Sequence, residues 1–258
     1  MAILQALDDA GRPASDSTGR VRLVSSEIVR LPSHTPQFSE LLSWINAAHP
    51  GPISILDVGG GGGFYDFPAT LRSRARRMVG VDPDSGVLER PWLDEGHQML
   101  VEEYAPRTAE RFDVALCVYV VEHVESPGPF LEGVRSLLQP GGSCFGVTPN
   151  LWHYFGLASA TAARAGIEDW LLHRLRPTEL IESYHSPVHY RLNTVRSLRS
   201  TALDAGFRGA EFRVLEQAGM FETYVPPRLR WAPRGYSRMI NRLGRPELFG
   251  TLLFRLTT

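Results

Sequence analysis

The stretch ISILDVGGGGGF at residues 53–64 decides the fold, because five consecutive glycines directly follow a short β-branched run. The run at 53–58 predicts a buried strand. Packing does not require five residues without side chains, whereas glycines allow positive φ and let a ligand approach the backbone closely. We therefore expect a ligand-binding turn at the end of this strand. Its candidate residues are Asp57, Gly59, Gly61 and Gly63.

A second carboxylate supports this interpretation. The sequence VGVD at 79–82 ends the next predicted strand and places Asp82 19 residues after Gly63. A carboxylate at that point can accept hydrogen bonds from both hydroxyls of a ribose. The alternative is a helix-capping Asp before Pro83. The glycine turn and the acid together indicate a nucleoside cofactor.

Asp57 distinguishes between classes of cofactor. A dinucleotide turn reads G-x-G-x-x-G and delivers a pyrophosphate to the start of a helix. Here an acidic residue stands two positions before the first glycine, which suits a cationic ligand without phosphate. S-adenosylmethionine is such a ligand, because it carries a sulfonium and an amino group. A nicotinamide cofactor is the alternative, and Asp57 disfavours it.

Strand and helix patterns alternate along the chain. The predicted helices cover 37–48, 129–138 and 194–205, and the predicted strands cover 53–58, 78–81, 98–101, 112–121, 143–148, 210–215 and 248–256, with one short strand within 20–30. This alternation favours a doubly wound α/β sheet that is mostly parallel and has helices on both faces.

Residues 53–148 resemble the class I S-adenosylmethionine-dependent methyltransferases. ILDVGGGGG is similar to their first motif, VGVDP to the second, FDVALCVYVVEHV to the fourth-strand motif and LLQPGGSCFGVTPN to the segment after it. The resemblance implies a Rossmann-like sheet of seven strands with an antiparallel last strand. The sequence TPN at 148–150 is most similar to bacterial members that act on small molecules or glycans.

The resemblance also implies roles for particular residues. Asp57 and the glycines would surround the methionine part of the cofactor, Asp82 would hold the ribose, and Pro83 with either Glu102 or Glu103 would flank the adenine. Cys117 and Val118 would border the sulfonium. The product would be S-adenosylhomocysteine, and the acceptor a small molecule, most readily a hydroxyl. Transfer to nitrogen or carbon, or a non-catalytic binding protein with this fold, are the alternatives.

A hydroxyl acceptor usually needs a general base. His123 follows the fourth-strand motif, whereas His153 and Tyr154 follow TPN and are expected to face the acceptor pocket. Packing roles are the alternative for all three. In some relatives a Glu-x-x-Glu-His stretch binds a divalent metal; here Tyr119 replaces the first Glu, so we expect no metal site.

The domain organisation follows from these patterns. Residues 1–33 are polar and contain Gly and Pro, which predicts an N-terminal extension, and residues 34–258 form one predicted domain. Within it, 150–193 interrupts the alternation as a mostly helical insertion. Because this insertion follows the fifth strand, it lies where ligands bind in open α/β sheets, and we expect it to shape the acceptor pocket.

Composition limits the cellular context and the partners. All 27 basic residues are Arg, which with frequent Gly and Pro suggests a bacterium with a GC-rich genome. No dense basic run suggests nucleic-acid binding. No apolar run reaches the length of a membrane helix, so we expect no membrane partner. Cys117 and Cys144 lie in apolar segments and indicate reduced thiols in the cytoplasm. A homodimer is left open.

Overall fold

A computed structural model describes residues 28–61, 66–166, 187–217, 219, 221, 222, 225 and 227–258. One sheet has the strands β1 Ile28–Arg30, β2 Ile53–Val58, β3 Ala75–Asp82, β4 Glu95–Gln98, β5 Phe112–Val118, β6 Leu138–Pro149, β7 Gly209–Leu215 and β8 Thr251–Thr257. The helices described are α1 Gln37–Ala48, α2 Val101–Tyr104, α3 Pro127–Leu137, α4 Tyr154–Arg164, α5 Val195–Asp204 and α6 Trp231–Leu243.

The strand order is β1-β7-β8-β6-β5-β2-β3-β4. β8 runs antiparallel to β6 and β7, and the other pairs are parallel. The predicted mostly parallel α/β sheet with an antiparallel last strand is therefore confirmed. The sheet has one strand more than the resemblance implied, because β1, at the end of the predicted extension, pairs with the edge of β7.

Both faces of the sheet are covered, which explains the nearly continuous apolar strands. Leu56 of β2 belongs to the core layer that also contains Leu131 of α3. Ile55, its neighbour in sequence, belongs to the opposite layer with Leu41 of α1. Because the parallel strands β2, β3 and β5 end at the same edge, their following loops meet there.

The central parallel strand ends earlier than the predicted 112–121. β5 stops at Val118 because Tyr119 takes a left-handed backbone conformation with φ of 56°. The chain then turns through a short 3₁₀ helix at Val121–His123. This turn directs Glu122 and His123 to the carboxyl edge of the sheet.

The fourth strand lies a few residues before its predicted position. β4 lies at Glu95–Gln98 and not at 98–101, because Val101 begins α2 and is buried against the core. Of the predicted insertion, α4 is helical, and residues 167–186 lie outside the described part. No helix in the described ranges is long and apolar enough to cross a membrane.

Candidate cofactor and acceptor site

The backbone of the glycine turn packs closely against Val120, Asp57 and Asp82. Gly59 has φ of 83°, and a Cβ there would lie 2.3 Å from Val120 Cγ2. A Cβ on Gly60 would lie 2.4 Å from Asp57 Oδ2, and one on Gly61 would lie 2.8 Å from Asp82 Cγ. These positions leave no space for side chains, so the backbone itself forms the wall beside both carboxylates.

Asp82 ends β3 and holds the turn. Its carboxylate oxygens accept hydrogen bonds from the Gly61 N–H at 3.0 Å and from the Asp84 N–H at 2.6 Å. Burial raises the pKa of Asp82, and these two N–H donors oppose that rise. Each oxygen keeps a further lone pair, so the carboxylate can still accept hydroxyl donors.

Asp57 is a buried carboxylate with incomplete hydrogen bonding. Its side chain is 2% exposed, and within the described residues Oδ2 has no hydrogen-bond partner. Burial raises the pKa of Asp57 to about 7; the Trp92 indole and Arg90 oppose the rise, and Asp82 adds to it. A cationic ligand group would supply the missing partner, as the amino group of S-adenosylmethionine can.

Arg90 and Trp92 also belong to this site, although no motif in the sequence singled them out. The Arg90 guanidinium donates to the Gly60 carbonyl at 2.8 Å and to the Gly61 carbonyl at 2.6 Å. It also lies 5.3 Å from the centre of the Trp92 ring. Arg90 therefore fixes the glycine turn from the outside.

A cavity of about 310 Å³ opens beside the turn. Its walls include five of the predicted residues: Gly59, Asp82, Pro83, Glu102 and His123. This volume suits a small-molecule or cofactor site. Of the two acids proposed for the adenine, Glu102 lines the cavity, whereas Glu103 is exposed on α2.

A second, smaller cavity of about 20 Å³ adjoins the turn and is lined by Asp57, Gly59, Trp92 and Val118, among others. Cys117 does not reach it with its side chain: the thiol is buried in the core, 3.7 Å from Cys144 Sγ. Any contact of Cys117 with the cofactor would therefore come from its backbone. Gly63 lies outside the described residues.

His123 stands on the cavity wall together with His189. Its Nδ1 lies 3.1 Å from the Pro187 carbonyl oxygen. Because a carbonyl can only accept, Nδ1 carries the proton in this bond, and Nε2 is the accepting nitrogen of the neutral ring. In this tautomer Nε2 is the ring nitrogen that can accept a proton.

The Glu122 side chain is buried and hydrogen-bonded within the protein. Thr148 Oγ1 donates to its Oε2 at 2.8 Å, and Asn193 Nδ2 donates to the same Thr148 oxygen at 2.6 Å. The Glu122 carbonyl accepts the N–H groups of His189 and Tyr190. In the described ranges, no group of three or more His, Cys, Asp or Glu residues could hold a metal ion.

We expect Glu122→Gln to change the pH dependence of stability. Burial raises the pKa of Glu122 from its ordinary 4.5 to about 7. The folded protein therefore holds this proton more tightly than the unfolded chain, and the resulting stabilisation is lost as pH rises from about 4.5 to 7. The neutral variant avoids that loss. At pH 8 it should therefore unfold at a higher denaturant concentration than wild type, and its free energy of unfolding should be larger by up to about 3 kcal/mol.

Denaturant titrations at pH 5 and pH 8 measure this difference. The substitution Glu102→Gln, on the cavity wall, is the matched control, because the side chain of Glu102 is only partly buried. If the difference in free energy of unfolding between the variant and wild type is the same at pH 5 and pH 8, Glu122 does not titrate in this range.

His153 and Tyr154 lie in an aromatic cluster with Phe221 and Tyr236. His153 is 1% exposed and caps α4, its Nδ1 accepting the Phe155 N–H at 3.3 Å. Nε2 therefore carries the proton in the neutral ring and lies 3.5 Å from Glu216 Oε2, at the edge of hydrogen-bond range. With both nitrogens directed into the protein, the base role of His153 stays a prediction that this geometry does not favour.

Tyr154 is also constrained by this cluster. Its ring centre lies 4.9 Å from that of Tyr236. Burial raises the pKa of Tyr154 to about 12, and the charges of Glu216 and Glu222 add to the rise. The phenol is therefore protonated at neutral pH. No sequence motif includes Glu216, which lies 3.5 Å from His153 Nε2 and accepts hydrogen bonds from Ser237 Oγ and the Gly250 N–H.

Comparison with known proteins agrees with this site. Residues 33–217 match the family described as "Methyltransferase domain". The ubiquinone biosynthesis O-methyltransferase of Aeromonas salmonicida is 33% identical over 119 residues, which cover 42% of this chain and 49% of that protein. The protein of that name from Bradyrhizobium sp. is 36% identical over 115 residues, 41% and 44% of the two chains. The chain thus spans about half the length of the curated relatives it matches.

Solved structures share the fold. A SAM-dependent methyltransferase from Archaeoglobus fulgidus superposes with a TM-score of 0.55 at 16% identity, covering 86% of this chain and 93% of that one. An S-adenosylmethionine-dependent methyltransferase from Mesorhizobium loti gives a TM-score of 0.51 at 16% identity, covering 87% and 99%. The family match covers most of the chain, and the glycine turn, Asp57 and Asp82 fit the cofactor. The chain belongs to the class I S-adenosylmethionine-dependent methyltransferases.

Proposed function

We propose that the protein transfers the methyl group of S-adenosylmethionine to a hydroxyl of a small-molecule acceptor. The observation that carries the oxygen assignment is the position of His123, on the wall of the cavity that Asp82 and Glu102 also line. A hydroxyl needs a base, and an imidazole with an accepting Nε2 supplies one. The relatives named as O-methyltransferases support the same choice.

The residues of the site would divide the work between binding and proton transfer. S-adenosylmethionine, when bound, supplies an electrophilic methyl group. Asp82 would accept the ribose hydroxyls, Glu102 would meet the adenine, and Asp57 would balance the positive charge of the methionine part. The walls of the cavity would exclude water and align the acceptor. His123 Nε2 would take the acceptor's proton as the oxygen attacks.

The insertion at 150–193 is proposed to shape the acceptor pocket, because its two ends meet at the carboxyl edge of the sheet. The Leu151 N–H donates to the Asn193 carbonyl at 2.9 Å. We place the acceptor among small molecules of bacterial specialised or glycan metabolism and the enzyme in the cytoplasm. The buried, unlinked thiols of Cys117 and Cys144 support that location.

We expect cofactor affinity to depend on pH through Asp57. The pKa of this carboxyl is about 7, and a cationic ligand favours the ionised form. Protons therefore compete with the ligand, and affinity should rise by about tenfold between pH 5.5 and pH 7. Calorimetric titration at several pH values measures the slope. Asp57→Asn should bind weakly with little slope; an unchanged slope in that variant would assign the pH dependence to another group.

The proposed function is tested in two steps. Calorimetry with S-adenosylmethionine and S-adenosylhomocysteine, with NAD as a control, should give saturable binding of the first two only. Mass spectrometry then follows mixtures of hydroxyl, amine and carbon acceptors for the addition of a methyl group. Methylated alcohols or phenols support the proposal. Methylated amines or carbon acceptors would show that the methyl group goes to nitrogen or carbon and not to oxygen. Cofactor binding without any methylated product across the set would favour a non-catalytic binding protein.

A further inference from the structure

The helix α6 and the turn before it are rich in arginine. Residues 227–245 contain six Arg and no Asp or Glu. Arg234, Arg238 and Arg242 recur every four residues and therefore form one stripe along α6. All three side chains are exposed, and Arg234 is also paired with Glu222.

Exposed apolar side chains lie beside this stripe. Trp231 is 71% exposed, and Met239 and Leu243 are 51% and 60% exposed. At 100° per residue, Trp231 falls between Arg238 and Arg242, and Met239 and Leu243 form the adjoining stripe. Leu229 in the preceding turn is 46% exposed. Large apolar side chains are seldom left in water in such a group.

The opposite face attaches α6 firmly to the protein. Pro233, Ser237 and Ile240 are buried. Tyr236 Oη donates to the Leu248 carbonyl at 3.1 Å, and Arg30 donates to the Asn241 carbonyl at 3.1 Å. The exposed face of α6 is therefore opposite a face that is packed against the protein and hydrogen-bonded to it.

We propose that α6 and the turn at 227–230 form a peripheral docking surface for an anionic lipid bilayer. A helix with an Arg-rich face and with Trp, Leu and Met beside it is suited to lie in the plane of a membrane interface. The Arg side chains would reach lipid phosphates, and Trp231 would enter the headgroup region. Charge complementarity favours this partner, and the apolar stripe distinguishes it from a nucleic acid, whose backbone requires only the cations.

This surface lies next to the proposed acceptor side. The ring of Tyr236 on α6 contacts that of Tyr154 at the start of α4, at 4.9 Å. The expectation of no membrane partner considered only segments able to span a bilayer, and an interfacial helix needs no such segment. Docking through α6 would bring the start of α4 close to the lipid surface.

Vesicle flotation tests the proposal with the full chain. Wild type should float with vesicles of phosphatidylcholine and phosphatidylglycerol but not with phosphatidylcholine alone, and added salt should weaken binding. Arg238→Gln with Arg242→Gln should lower the bound fraction by about tenfold. Trp231→Ala should also reduce binding several-fold and diminish the blue shift of tryptophan fluorescence that vesicles induce.

The matched control is Arg111→Gln with Arg208→Gln, which removes the same charge from exposed positions outside α6. Equal loss of binding in this control would overturn the proposal. Failure of the wild type to float with anionic vesicles would also overturn it. Binding that survives Trp231→Ala and extends equally to duplex DNA would assign the surface to polyanions in general. A dimer dissociated by the α6 variants, with no vesicle binding, would assign it to self-association.

Calorimetry with S-adenosylmethionine separates this proposal from the proposed function. The variants on α6 should retain wild-type cofactor affinity, because none of these residues lines the cavity beside Asp82. A protein that binds the cofactor and transfers methyl groups but does not bind vesicles would contradict only the docking proposal. A protein that binds vesicles but not the cofactor would contradict only the proposed function.

Discussion

The Asp82→Ala variant is expected to bind S-adenosylmethionine about 10- to 100-fold more weakly than wild type. Two effects combine in this loss. The ribose hydroxyls lose a charged acceptor, which is typically worth about 1–3 kcal/mol. The Gly61 N–H and the Asp84 N–H also lose the carboxylate that holds the turn. Calorimetric titration of the purified variant measures the dissociation constant directly.

Asp84→Ala provides the matched control for this experiment. Asp84 is exposed, and its Oδ1 accepts the nearby Gly86 N–H at 2.7 Å, where it caps a short 3₁₀ helix. Its removal deletes the same charge two residues away without touching the cavity. Unchanged affinity in Asp82→Ala, or an equal loss in both variants, would refute the ribose role of Asp82.

The second large effect is expected at His123. Once an acceptor is known, His123→Ala should lower kcat by about 100-fold, which is the usual contribution of a positioned general base. The dissociation constant for S-adenosylmethionine should change much less. The pH profile of kcat should also lose the limb that reports the base, which a purely structural role would not produce.

His153→Ala is the informative comparison, because it removes a histidine from the aromatic cluster. Phe221, Tyr154 and Tyr236 pack around this ring, so its loss should lower Tm and destabilise the fold by about 2–4 kcal/mol. Its kcat, measured below the unfolding transition, should stay within a few-fold of wild type. A 100-fold loss of kcat in His153→Ala with normal kcat in His123→Ala would exchange the two roles.

Local patterns were sufficient to predict most of the sheet. The apolar run at β2 and the helical spacing of α1 predicted both elements with the observed bounds, Ile53–Val58 and Gln37–Ala48. The end of β5 could not be predicted in this way. The apolar residues continue to Val121, but the left-handed backbone at Tyr119 ends the strand, and hydrophobicity carries no information about that dihedral angle.

Part of the candidate site could be predicted from local sequence patterns, and part could not. The glycines, Asp57 and Asp82 are adjacent to strand ends in the sequence, so topology alone brings them together. Arg90 reaches the glycine turn across some 30 positions. Glu216 meets His153 only because distant segments pack together. Such contacts depend on tertiary packing and leave no periodic trace in the chain.

The orientation of α6 could not be predicted from its apolar residues. Its buried positions, including Pro233, Ser237 and Ile240, are not a simple apolar stripe, and Trp231, Met239 and Leu243 lie on the exposed side. A pattern that assumes apolar residues face the core therefore assigns them to the wrong face.

The insertion is closed at its base. The Leu151 N–H bonds to the Asn193 carbonyl, and Asn193 Nδ2 donates to the Pro149 carbonyl at 3.0 Å, so the two ends of the segment are joined beside the sheet. We therefore expect that residues between these ends can be exchanged to change the proposed acceptor while Asp57, Asp82 and His123 stay in place.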